Sequence, residues 1–143
     1  SIDNQLWIYE GLQNRLLKVN ATGQQLAESQ NLSLLPGGAP SPYFLAAAGN
    51  LVFLNDANKR LLIFDAFGQY VRSVPLDGRR PVQVWRNNLV LVSDKGAWMM
   101  NTDFTFSRLV LPEDALNAGH WRMSKNQVLW LTAKGLHVQS RQP

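Results

Sequence analysis

Apolar residues along this chain fall in short segments that turn-forming residues separate. Residues 51–54 and 61–64 are two such segments, rich in aromatic and branched side chains, which is typical of β-strands. Both are apolar at every position, as expected for strands packed between neighbouring sheets. No window keeps helical spacing over three turns, so we expect at most one helical turn, at residues 115–120. The pattern predicts an all-β chain.

An internal repeat is the strongest signal in the sequence. Residues 15–24 align with residues 60–69 at a shift of 45, and they share Arg, Leu, Leu, Ala, Gly and Gln without a gap. Weaker copies follow at residues 89–101 and 128–138, which are 39 residues apart. A period of this length is in the range of β-propeller blades, not of most helical repeats.

The repeat predicts about three and a half blades of four antiparallel strands each. We expect inner strands at residues 43–48, 82–86 and 121–124, and outer strands at residues 25–29, 70–74 and 108–111. The chain then begins at the second strand of a blade and ends at the third. We therefore predict one domain over residues 1–143, with units at residues 1–33, 34–78, 79–114 and 115–143.

Two turns in the repeat have the same chemistry. Asn20 and Asp65 each stand three residues before a glycine, Gly23 or Gly68. An Asn or Asp at the first position and Gly at the fourth favour a type I turn, with glycine taking positive φ as the next strand begins.

Composition narrows the class of protein. Hydrophobic residues make up 45% and charged residues 17%, which argues against disorder. The absence of cysteine excludes disulfides, a thiol nucleophile and cysteine-ligated metals. The net charge of +4 is spread over the chain, and no apolar stretch approaches the ~20 residues that span a membrane.

Residues 52–71 resemble the NHL repeat of β-propellers. In that family one strand is followed by Asp, any residue, Asn, any residue and Arg, and the next strand by Asp, two residues and Gly. Asp56, Asn58, Arg60, Asp65 and Gly68 fill those positions here.

The resemblance weakens away from this blade. The first unit keeps Arg15 and Gly23 but has Gly11 where the family has Asp, and the later units lack the Arg. The chain is also similar to uncharacterised extracytoplasmic propellers of bacteria. The resemblance implies a propeller fold, a binding role and an extracytoplasmic location, which we favour over the cytoplasm. It implies no particular reaction, because propellers host unrelated functions.

Three and a half blades are fewer than the four to eight that usually close a ring. An open ring would leave unpaired strand edges. We consider three solutions: the chain is part of a larger propeller, a second chain completes the ring, or the units close as a small four-bladed form. We favour the first two.

The sequence offers no catalytic or metal-binding constellation. His120 and His137 are the only histidines, and they lack the spacing of metal ligands. The neighbouring acids Glu113 and Asp114 follow a proline in a loop, where carboxylates are usually solvated. We therefore predict no catalytic residue, no metal and no cofactor, and favour a chain that is not an enzyme.

The candidate binding surface consists of the loops between blades, at residues 34–42, 76–81 and 112–120, because loops on a rigid scaffold usually carry function. Two tryptophans followed by arginine add rings flanked by cations, a pairing that grips ligands by stacking, although we expect the rings mainly to pack between blades. The predicted contacts with a ligand or partner are Arg79, Arg80, Trp85, Arg86, Glu113, Asp114, His120, Trp121 and Arg122.

We therefore predict a non-catalytic binding or assembly module that holds a protein, a second copy or a small ligand. Two alternatives remain. A propeller enzyme of the lyase or lactonase kind would hold a divalent ion in its channel. An NHL-like nucleic-acid-binding module would show affinity that falls steeply with salt.

Overall fold

The computed structural model describes residues 4–57, 59–118 and 120–141. The described residues form fourteen strands in four antiparallel sheets, and within each sheet the strands follow chain order. Asn58, which fits the NHL-like pattern, lies outside the described residues. The predicted all-β class of blade-like sheets is confirmed.

The first sheet has three strands and the second has four. They are β1 (Leu6–Glu10), β2 (Arg15–Val19) and β3 (Gln25–Glu28), then β4 (Leu45–Ala48), β5 (Leu51–Asp56), β6 (Arg60–Asp65) and β7 (Tyr70–Pro75). A 3-10 turn at Leu32–Leu34 lies between the two sheets in sequence.

The third sheet has four strands and the fourth has three. They are β8 (Arg80–Trp85), β9 (Asn88–Ser93), β10 (Gly96–Met100) and β11 (Phe106–Leu109), then β12 (Trp121–Ser124), β13 (Gln127–Thr132) and β14 (Gly135–Ser140). A helix, α1 (Glu113–Ala118), lies between β11 and β12 in sequence.

The chain divides into two compact units, one ending at Gly78 and the other beginning at Arg79. That division coincides with a predicted boundary between blades. The predicted single domain over residues 1–143 remains a prediction. Among the described residues, no helix has the length and apolar character needed to cross a membrane.

The core of the first unit lies between its two sheets. Leu16 of the first sheet and Leu54 and Phe64 of the second belong to one buried cluster. Trp7 and Tyr9 pack against that cluster from the first sheet. Because side chains alternate across a strand, the first sheet covers this core with one face only.

The core of the second unit is richer in tryptophan and lies between the third and fourth sheets. Trp85, Trp121 and Trp130 are all buried there. The Gln83 side chain bridges the two sheets, because its amide donates to the Met123 carbonyl at 3.0 Å and accepts from the Met123 N–H at 2.8 Å. The tryptophans therefore pack between sheets, as their strand positions predicted.

The helix differs from its predicted place. We expected one turn at residues 115–120, whereas α1 begins at Glu113 and ends at Ala118. The Pro112 carbonyl accepts the N–H groups of Ala115 and Leu116, and Ala115 is fully buried. Proline is common at the start of a helix, and the two acids of the first turn interact favourably with the positive N-terminal end of the helix dipole.

The predicted turns are confirmed. The Gly68 N–H donates to the Asp65 carbonyl at 3.1 Å, and the Asp65 carboxylate accepts the N–H groups of Phe67 and Gln69. Gly23 and Asn20 repeat the first bond at 3.0 Å. Both glycines have positive φ, +82° at Gly23 and +83° at Gly68.

We expect Gly68→Ala to destabilise the protein more than Gly23→Ala. Positive φ costs an alanine ~1–2 kcal/mol at either position. At Gly68 a Cβ would also lie 3.2 Å from the backbone of Glu28, whereas nothing lies within 4 Å at Gly23. Urea unfolding of both variants measures the difference. Equal losses would contradict the close approach of the Gly68 turn to the first sheet.

Candidate functional site

The second unit contains a cleft of about 410 Å³. Its lining comes from the start of β8, the turn between β9 and β10, α1 and the start of β12. The lining residues are Arg80, Val82, Val92, Ser93, Asp94, Lys95, Gly96, Leu116, Asn117, His120, Trp121 and Arg122.

Strand direction brings these segments together. In an antiparallel meander, the turn between the second and third strands lies at the edge where the first strand begins. The turn at Asp94 and Lys95 therefore lies beside Arg80, which begins β8. The entry to the next blade, at His120 and Trp121, meets them at the same edge.

The turn at the cleft is held by side chains. The Ser93 hydroxyl accepts the Lys95 N–H at 3.1 Å and the Trp98 indole N–H at 3.1 Å. Arg108 donates to the Lys95 carbonyl at 2.9 Å. Gly96 begins β10 at φ +138°, which is unfavourable for other residues. These contacts fix the backbone that presents Lys95.

Positive charge prevails in the cleft. Arg80, Lys95 and Arg122 line it together with a single carboxylate, Asp94, and all four residues are exposed. Arg122 donates to the Trp121 carbonyl at 2.7 Å, which uses one of its five N–H donors. The arrangement favours an anion, and the exposure of the cations makes that preference sensitive to salt.

Four of the predicted contact residues line this cleft: Arg80, His120, Trp121 and Arg122. Trp121 is itself buried, so it forms the wall of the cleft more than a free stacking surface. Asn117 lies in the predicted loop at residues 112–120, whereas Asp94 and Lys95 were not predicted. The direction of the strands, as argued above, is the signal that would have placed the turn at Asp94 and Lys95 beside the entry to the next blade.

Arg79, another predicted contact, lies elsewhere in the unit. Its guanidinium lies 4.4 Å from the ring centroid of Trp98 and 4.6 Å from that of Phe106. Arg108 also lies over Trp98, at 4.9 Å. Cations at these distances are attracted to aromatic rings.

Trp85 and Arg86 join the third sheet to the fourth. The Trp85 indole donates to the Lys125 carbonyl at 2.9 Å, and the ring is buried. Arg86 lies 4.5 Å over that ring and donates to the Asn126 side chain. Little of the ring remains for an incoming ligand, and binding by this pair remains a prediction.

Glu113 and Asp114 are exposed in the first turn of α1 and are not among the cleft-lining residues. Their role as partner contacts also remains a prediction. His137 stacks on Trp130 with 5.3 Å between ring centroids and shares a hydrogen bond with Thr132. Within the described ranges, no group of three or more potential ligand side chains could hold a metal ion.

No protein-family model matches this chain, and no curated protein matches it. Solved structures do. A streptogramin B lyase has 18% identity and a TM-score of 0.58 over 99% of this chain. A catalytically inactive virginiamycin B lyase from Staphylococcus aureus, solved with quinupristin, has 16% identity and a TM-score of 0.59 over 98% of it.

Both structures are β-propellers. This chain has a β-propeller-type fold. It spans about half the length of each lyase chain, 52% and 53%. At such low identity the likeness concerns the fold, and the NHL resemblance remains a prediction.

Proposed function

We propose that this chain is a propeller-type binding module whose cleft in the second unit takes a small organic anion, without chemistry. The observation that carries this proposal is the excess of Arg80, Lys95 and Arg122 over Asp94 around one cavity. Its volume of about 410 Å³ is in the range of small-molecule sites, ~300–1,000 Å³.

The three cations would act differently on an anion. The guanidinium groups of Arg80 and Arg122 offer paired donors that match a carboxylate or phosphate, whereas Lys95 offers a point charge. Asp94 would disfavour ligands with too much negative charge at its own end of the cleft. Leu116 and Val92 supply an apolar wall for the rest of the ligand.

We expect Arg122→Gln and Arg80→Gln each to weaken anion binding roughly tenfold, since a hydrogen bond to a charged group contributes ~1.5–3 kcal/mol. Citrate and phenyl phosphate are the probes, and calorimetry is the measurement. Tryptophan fluorescence offers a second readout because Trp121 lines the cleft.

Arg72→Gln is the matched control, because it removes the same charge from an exposed position in the other unit. It should leave binding unchanged. The proposal fails if neither probe binds at millimolar concentration, or if the control weakens binding as much as the cleft variants. Tighter binding of a single-stranded oligonucleotide than of either probe would favour the nucleic-acid alternative.

The lyase alternative has a specific support. The similar structures are those of lyases, and His120 places an imidazole at this chain's cleft. Chromatography of quinupristin incubated with the chain tests it. Conversion that disappears in His120→Ala would support a lyase, and unchanged quinupristin would remove this alternative.

A further inference from the structure

The first sheet has an apolar face that points away from the core of its unit. Trp7 and Tyr9 pack on that core, so their neighbours in β1 point the opposite way. Leu6 is 61% exposed and Ile8 is 38% exposed. Cross-strand register puts Val19 and Leu17 beside them on the same face. We call Leu6, Ile8, Leu17 and Val19 the first open face.

The fourth sheet has a matching face. Val128 and Trp130 belong to the core of the second unit, so Leu129 and Leu131 point away from it. Leu136 and Val138 pair with them in register and are more than half exposed. A shallow groove of about 410 Å³ lies over this part of the sheet. We call Leu129, Leu131, Leu136 and Val138 the second open face.

Each of these sheets therefore has two apolar faces, of which one is packed on a neighbouring sheet. A contiguous apolar patch exposed at a protein surface usually marks an interaction site. A three-stranded sheet with such a face is therefore expected to be covered by a binding partner. Like the faces that are buried inside each unit, the open faces consist of apolar side chains paired in register across neighbouring strands. Another blade-like sheet fits such a face better than a helix or an extended peptide does.

Charge distinguishes the two faces. Glu10 and Glu28 flank Arg15 on the first open face, and both carboxylates contact its guanidinium at 2.6 Å, which leaves one excess negative charge. On the second open face, Arg122 pairs with Leu129 in register and brings a positive charge. The faces complement each other, whereas each would meet its own charge in a like-with-like pairing.

We propose that the first open face of one copy packs on the second open face of a second copy. Two copies together have about the length of one propeller chain of the similar structures, since this chain spans 52% and 53% of them. The pairing would bury the apolar faces of both terminal sheets. The pairing shares Arg122 with the cleft of the proposed function, but it is tested at Ile8 and Leu131, which do not line that cleft.

The test is the mass of the 143-residue chain in solution at micromolar concentration, by light scattering. We expect about 32 kDa, twice the chain mass of 16.1 kDa. Ile8→Asp and Leu131→Asp should each give 16 kDa, with circular dichroism confirming that they fold. Val110→Asp is the control, since Val110 is 82% exposed between β11 and α1 and belongs to neither face.

A monomeric wild-type chain, or a dimer in either face variant, would overturn the proposal. Mixing the two variants tests the pairing itself. Each variant has lost a different face, so the intact first open face of one variant can still pack on the intact second open face of the other. The mixture should therefore regain a species of about 32 kDa. Failure to regain it would also overturn the proposal.

Discussion

Asn55→Leu should lower the free energy of unfolding by about 3 kcal/mol, although Leu is close to Asn in size and more apolar. Asn55 is fully buried. Its side-chain oxygen accepts the N–H groups of Tyr43 and Phe44, at 2.8 Å each, and its amide donates to the Ala57 carbonyl at 2.7 Å. Leucine would leave these three backbone groups unpaired, each at a cost of ~1–3 kcal/mol if water does not reach it.

Urea denaturation followed by tryptophan fluorescence measures the loss. Asn50→Leu is the control, because Asn50 is exposed in the turn between β4 and β5 and should change stability by less than ~0.5 kcal/mol. A loss at Asn55 no greater than that of the control would show that the segment before β4 does not depend on this side chain.

The strands could be predicted because their signal is local. Hydrophobic runs and turn residues repeat with the blade, so three strands in the first sheet and three in the last were expected, and the described residues form them. The Asp65 turn was predictable for the same reason, since all its hydrogen bonds lie within five residues. The strands and the Asp65 turn both depend on interactions between residues close together in the sequence, so the sequence pattern predicts them directly.

Other features depend on distant contacts and left no such signal. The repeat aligns Asn55 with Glu10, so nothing in the pattern singled it out, and two of its three partners lie eleven and twelve residues away, at Phe44 and Tyr43. β8 begins at Arg80, two residues before the predicted strand, because Arg80 pairs with Val92 of the next strand. Lys95 lines the cleft because the antiparallel order of β8, β9 and β10 places its turn beside the start of β8, which the residues around Lys95 do not reveal.

The repeat also pairs Arg15 with Arg60, and the structure gives them different environments. Arg15 binds Glu10 and Glu28, and Glu28 is about half exposed. Arg60 binds Asp56 at 2.9 Å, with both side chains largely buried, and donates to the carbonyls of Pro36 and Gly38. Equal positions in a repeat therefore predict equal strands but not equal energetics.

Arg60→Met should accordingly destabilise the protein by ~3 kcal/mol, since it leaves a mostly buried carboxylate without its cation. It also removes the donor that ties the loop before β4 to the second sheet. Arg15→Met is the matched control and should cost less, ~1 kcal/mol, because the side chains of Arg15, Glu10 and Glu28 are 26%, 28% and 49% exposed and solvent screens their attraction. Urea denaturation of both variants at neutral pH measures the contrast, and equal losses would contradict it.

The pH dependence gives the same pair a second test. Burial alone would raise the pKa of Asp56, but the Ser41 N–H and the hydrogen bond and charge of Arg60 outweigh it and hold that pKa below the ordinary 3.8. Above the pKa that Asp56 has in the unfolded chain, its ion pair with Arg60 contributes its full stabilisation of the fold. This stabilisation disappears as the pH falls through the lower pKa that Asp56 has in the folded protein. The stability gap between wild type and Arg60→Met should narrow over that acidic range and stay constant from pH 6 to 8. A gap that stays constant down to the acid unfolding transition would show that Arg60 acts through the loop carbonyls alone.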